Sequence, residues 1–167
     1  KPINALIESL KAKGLNPLPL FVGSFKDPTS AEIVKALFAE TRPDVILNCT
    51  GFAVSSPGKD MSETPFSAAD CPVFQVILSG GTFDEWQEGA RGLAPKDLAM
   101  NVALPEVDGR LITRAISFKK SQAFDEKTEV AVIKHEPVPS RVNFVADLAA
   151  SWTRLRQTQA QDRRVAI

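Results

Sequence analysis

Glu106 and Asp108 are the residues of this sequence best suited to chemistry. They flank Val107 within Pro105-Glu106-Val107-Asp108-Gly109. Read as an extended segment ending in a turn, this spacing sends both carboxylates to one side. Close carboxylates repel, which raises the pKa of one and leaves a proton acceptor near neutrality. Their oxygens also suit a divalent cation. The same five residues equally describe a turn whose acids pair with Arg110 or Arg114. Spacing alone leaves both readings open.

Small polar residues that could line a site end several apolar, strand-like runs: Gly23-Ser24, Asn48-Cys49-Thr50-Gly51 and Ser79-Gly80-Gly81-Thr82. In an open parallel sheet, ligands bind beyond the carboxyl ends of the strands, where backbone N–H groups and helix N-termini are available. Gln75, Ser79 and Gly80 on the last of these runs, with Asn101 ahead of the acids, are the candidate substrate-binding residues. Glycine and serine also end strands and cap helices without any ligand. No metal-ligand set is assigned. His135 has no second histidine or cysteine near it in sequence, and Cys49 and Cys71 flank strands as small buried thiols do. The sequence holds neither a Walker A lysine nor a spaced dinucleotide fingerprint, which speaks against autonomous nucleotide binding.

The elements that must position these residues alternate. Ile3, Leu6, Ile7 and Leu10 recur at helical spacing up to Gly14. Leu18 to Val22 is the first strand expected, with Pro17 and Pro19 marking its start or an edge. Thr29 and Glu32 suggest a capping box for a helix burying Ile33 and Leu37. Val45 to Leu47 and Val73 to Leu78 read as buried strands, and Thr82 with Glu85 as another capping box. Leu111 to Phe118 alternates as a strand, a polar loop follows from Lys119 to Lys127, and Val130 to Ile133 is the next strand. A last helix starts near Ser140 with Trp152 on its apolar face. Residues 53–69, with two prolines and little periodicity, read as a long flexible loop. Strand and helix in alternation predict an α/β fold, a doubly wound, mostly parallel sheet of flavodoxin-like or Rossmann-like type.

The length of 167 residues suits one domain over residues 1–167. Twenty basic residues against twenty acidic ones give no net charge, so no nucleic-acid partner is expected. The longest apolar runs are of strand length, which predicts no membrane-spanning helix. Two cysteines and one histidine fit a reduced, cytoplasmic setting. A helix pattern that begins at Lys1, and a strand-like pattern stopping at Ile167, suggest a domain cut from a longer chain.

Around the acids the sequence becomes specific. "DLAMNVALPEVDGR", with "PVFQVILSGGTFDEWQEGARGL" before it and "ITRAISFK" after it, resembles the large, CobN-type subunits of cobaltochelatase. "LPLFVGSFKDPTSAEIVKAL", "RPDVILNCTGFAVS" and "RVNFVADLAASWTRLR" carry the same resemblance over nearly the whole chain. The related magnesium-chelatase large subunits share "VALPE". The resemblance implies a fragment of a tetrapyrrole-binding subunit of a ligase that forms nitrogen–metal bonds. Its substrates would be Co2+ and hydrogenobyrinic acid a,c-diamide, in aerobic cobalamin biosynthesis. Partner AAA+ ATPase subunits would hydrolyse ATP with Mg2+. The glutamate of the family's "LPE" falls on Glu106, and an acidic position of the same motif on Asp108. Alternatives are a magnesium-chelatase subunit inserting Mg2+ into protoporphyrin IX, a noncatalytic scaffold or docking domain, and half of a periplasmic-type binding module.

Overall fold

The computed structural model describes residues 1–55, 64–125 and 130–164. Within them a sheet in the order β1-β2-β3-β4 carries helices on both faces. β1 (Ile46–Asn48), β2 (Val73–Thr82) and β3 (Leu111–Asp125) are mutually parallel, and β4 (Val130–Pro137) returns antiparallel to β3. The α/β class and the mostly parallel sheet are as the alternating pattern predicts. Antiparallel pairing with β4 draws the expected polar loop into strand as far as Asp125; residues 126 and 127 of that loop lie outside the described residues.

One face of the sheet is covered by α1 (Pro2–Ala12) and α6 (Pro139–Gln157). Leu6 and Leu10 meet Val142, Val145, Ala146 and Ala149 over Val76 and Ile116. Neighbouring residues of a strand point to opposite faces, so Ile77 and Ala115 look the other way, toward Phe83 and Trp86 of α3 (Phe83–Glu88). The β2–β3 register steps from Ile77↔Ala115 to Leu78↔Ser117. The extra residue on β3 turns Phe118 onto the Trp86 side, away from Ile116. α3 begins with the predicted capping box, Thr82 and Glu85 bonding reciprocally.

The expected strand at Leu18 to Val22 does not form. Pro17 and Pro19 remove the donors a ladder needs, and Phe21 is 99% exposed. α2 (Pro28–Thr41) is capped by Asp27, whose carboxylate accepts from Ser30 N at 2.8 Å, and not by Thr29. Pro28 holds the first helical φ, which sets the cap at Asp27, two residues earlier than Thr29. The helix then buries Val34 and Phe38 against Phe66 and leaves Ile33 exposed. Of the predicted 53–69 loop, residues 56–63 lie outside the described residues, and Pro65–Ala69 forms a 3-10 turn. The strand-like ending at residues 165–167 also lies outside them.

Candidate functional site

The acidic motif is helical, where an extended segment was expected. α4 (Pro95–Leu98), a π-helical turn (Ala99–Ala103) and α5 (Leu104–Val107) follow one another without a break. Pro105 supplies the cause. It has no N–H to donate, and its ring crowds the carbonyl four residues back. The wider π turn, in which Leu104 N donates to Ala99 O, carries the chain past that carbonyl. Residues two apart on a helix do not face each other, so Glu106 and Asp108 form no carboxylate pair. Glu106 is exposed, and Asp108 is withdrawn from solvent.

Asp108 is fully engaged. Its Oδ1 accepts from Ser55 N at 3.0 Å and Ser55 Oγ at 2.6 Å, and its Oδ2 from Val54 N at 2.7 Å. Arg110 Nη2 adds an ion pair at 2.7 Å, with both side chains at 0% exposure. Burial pushes the Asp108 pKa up, but the bonds from Ser55 and Val54 and the Arg110 charge outweigh it, holding the carboxyl below its usual value. The pairing with Arg110, one of the two readings of the sequence, is the one realised. Arg110 Nη1 continues inward to Gln75 Oε1 at 3.1 Å, which also accepts from Asn48 Nδ2 at 2.7 Å. Gln75 Nε2 donates to Thr50 O at 2.9 Å. Gln75 is thus wholly buried and holds three segments together.

Ser79 and Gly80 belong to a different cluster. Ser79 Oγ donates to Asp97 Oδ2 at 2.6 Å, Gly80 N to the same oxygen at 2.9 Å, and Asn101 Nδ2 to Asp97 Oδ1 at 3.4 Å. Asp97 is only 6% exposed. The helical crossover leaves the carboxyl end of β2 at Asp97 and returns to the amino end of β3 at Asp108. Gly80 lies five residues along β2 from Gln75, about 16 Å of strand. The predicted site residues therefore divide into two groups at opposite ends of one crossover. Asp97, which holds the second group together, carried no sequence signal beyond its place in the quoted motif, whereas Asn48, in the first, stands in the polar strand end already singled out.

A loop from β1 joins the two groups. Phe52 N donates to Met100 O at 2.7 Å, in the π turn. Gly51 lies so close that a Cβ there would meet Asn101 Oδ1 at 3.0 Å and Met100 O at 3.1 Å. With residues 54 and 55 held by Asp108, this loop is fastened at both ends. Beside it, residues 22–26 and 50–54 enclose a cleft of about 230 Å3. Among the described residues no cluster of His, Cys, Asp or Glu is arranged to hold a metal ion. His135 lies inside β4, its Nδ1 buried without a hydrogen-bond partner.

The family model described as CobN/Magnesium Chelatase matches residues 1–167. The chain belongs to this family. It is 48% identical to the aerobic cobaltochelatase subunit CobN of Sinorhizobium sp over 167 residues, all of this chain and 13% of that relative. Identity to the Pseudomonas aeruginosa CobN subunit is 39% over 96% of this chain and 13% of the relative. The rice magnesium-chelatase subunit ChlH is more distant, at 28% over 98% of this chain and 12% of its own length. Among solved structures, the catalytic subunit of cobaltochelatase from Mycobacterium tuberculosis superimposes with a TM-score of 0.76 at 31% identity. That match covers 97% of this chain and 14% of the other. The chain thus spans about an eighth of the length of its CobN relatives.

Proposed function

We propose that this chain is a domain of the large, tetrapyrrole-binding subunit of an ATP-dependent cobaltochelatase. Its complex would insert Co2+ into hydrogenobyrinic acid a,c-diamide in aerobic cobalamin biosynthesis, in the cytoplasm. Partner AAA+ subunits would hydrolyse ATP with Mg2+. The observation that carries this reading is 48% identity to a CobN subunit along the entire chain, against 28% to the magnesium-chelatase relative. That difference favours cobalt over Mg2+ and protoporphyrin IX.

Metal insertion gives an exposed carboxylate a definite task. Co2+ sheds water and enters the ring as pyrrole-type N–H protons leave. Glu106, free of the network that occupies Asp108, is the group we assign to accept a proton or hold the incoming ion in passing. Asp108 and Gln75 position the segments around it, and Ser79, Gly80 and Asn101 anchor the far end of the crossover through Asp97. The test is reconstitution of the full-length subunit with its ATPase partners, the macrocycle and either metal. Cobalt-dependent change in the macrocycle's absorption, with Mg2+ inert, is the expected result. Insertion of Mg2+ into protoporphyrin IX would replace this reading with the magnesium one.

A further inference from the structure

Phe52 combines two properties that seldom coincide: a bulky side chain 53% exposed, on a backbone with φ of 64°. That left-handed conformation is unfavourable for a side chain branching into a ring and persists only where the surroundings impose it. Here they do. Gly51 presses against Met100 and Asn101, Phe52 N is bonded to Met100 O, and Asp108 clamps Val54 and Ser55. The strain therefore displays an aromatic ring to solvent where a glycine would have sat without strain. Such outlay is unexplained by packing.

The surroundings suggest what the ring meets. Phe52 lines the cleft between residues 22–26 and 50–54, and Phe21, fully exposed, adjoins the cleft's Val22. Lys26 lines the same cleft, and among the described residues its ammonium has no ion-pair partner. An apolar ring in a cleft also lined by a lysine complements a flat, apolar molecule edged with carboxylates. The volume of about 230 Å3 is smaller than pockets that enclose a drug-sized ligand, roughly 300–1,000 Å3, so it accommodates an edge of such a molecule.

Resting on the function proposed above, we propose that Phe52 is a binding residue for the tetrapyrrole, packing on its face while Lys26 receives a peripheral carboxylate. The Asp108 network then has a purpose in the reaction: it fixes this loop within two residues of Glu106. Phe52→Gly in the full-length subunit separates binding from folding, since glycine relieves the strained φ, which offsets the loss of a ring already half exposed. With hydrogenobyrinic acid a,c-diamide as probe, followed by fluorescence quenching, Phe52→Gly is expected to weaken binding about tenfold or more. Its Tm should be unchanged or raised, and Phe52→Trp should retain affinity. Lys26→Gln should weaken binding and flatten its dependence on salt. Unchanged affinity in Phe52→Gly overturns the proposal. A lowered Tm with intact affinity does so too, and marks the face as a contact with another domain of the subunit. A wild-type subunit that fails to bind the macrocycle at all removes the proposed function itself, a result distinct from either.

Discussion

Exposure separates the two acids of the motif more sharply than their spacing in sequence does. Glu106 is open to solvent at the end of the crossover, while every oxygen of Asp108 is occupied. Their substitutions should therefore fail in different ways. Glu106→Gln in the full-length subunit keeps shape and removes the proton acceptor, so cobalt insertion should fall roughly a hundredfold or more. Macrocycle affinity, measured by fluorescence quenching, should change little, because the loss belongs to the transition state. A variant inserting cobalt at the wild-type rate would exclude Glu106. Asp108→Asn should instead destabilise the fold, by about 3–5 kcal/mol, since it leaves the Arg110 guanidinium buried and uncompensated. Urea denaturation of the 167-residue chain measures this directly. The sign with pH is fixed by the depressed Asp108 pKa. Its stabilisation is present above the unfolded carboxyl value, near 4, and is lost as pH falls through the lower folded value. Asp108→Asn should accordingly lose that acid-dependent part of the unfolding curve.

The crossover helix depends on contacts that no local pattern announces. Gly51→Ala places a methyl against the carbonyl of Met100 and the Asn101 amide oxygen. The carbonyl belongs to the π turn and cannot swing aside, so the loop must lift. Overpacking of this kind costs about 1–3 kcal/mol. A drop in Tm of the 167-residue chain by several degrees would register it, and an unchanged Tm would show the loop to be compliant. Much of the fold was nonetheless legible. β1, β2 and the start of β3 stand where their apolar runs place them, and Thr82 caps α3 as its spacing with Glu85 predicts. Leu18 to Val22 misled because apolar content outweighed the prolines beside it. The motif "VALPEVDG" misled because a proline and a glycine signal a turn, whereas the π widening that lets a helix absorb Pro105 has no signature of its own. Gln75 and Ser79 were found as polar residues on an apolar strand. That they bond inward, to Asn48, Arg110 and Asp97, follows from pairing across the sheet and is invisible in one strand's sequence.

On the scale of the whole molecule, the chain is a wall and not an enclosure. The central part of its sheet, at Val76, Ile77, Ala115 and Ile116, is buried beneath helices, Cys49 and Cys71 are free thiols whose pKa burial pushes up to about 11, and the cleft beside Phe52 is too small to enclose a macrocycle. Both thiols should therefore react slowly with iodoacetamide in the folded chain and rapidly in urea, since the thiolate is the nucleophile. Fast labelling of either without denaturant would contradict that burial. The same incompleteness bears on activity. The chain covers 13% of the CobN relative, and its sequence holds no phosphate-binding lysine motif. The proton transfer proposed for Glu106 would require the ring to be held against it and water kept out, which a single open surface cannot do. The isolated 167-residue chain should thus neither hydrolyse ATP nor insert cobalt, even with the macrocycle in excess. Phosphate release above a protein-free blank, or a cobalt-dependent change in the macrocycle's spectrum, would show that this domain carries machinery its cleft and networks do not display. Supplying the ATPase partners would add their own ATP hydrolysis but should still give no cobalt insertion, because the proposed site would lack its opposite wall.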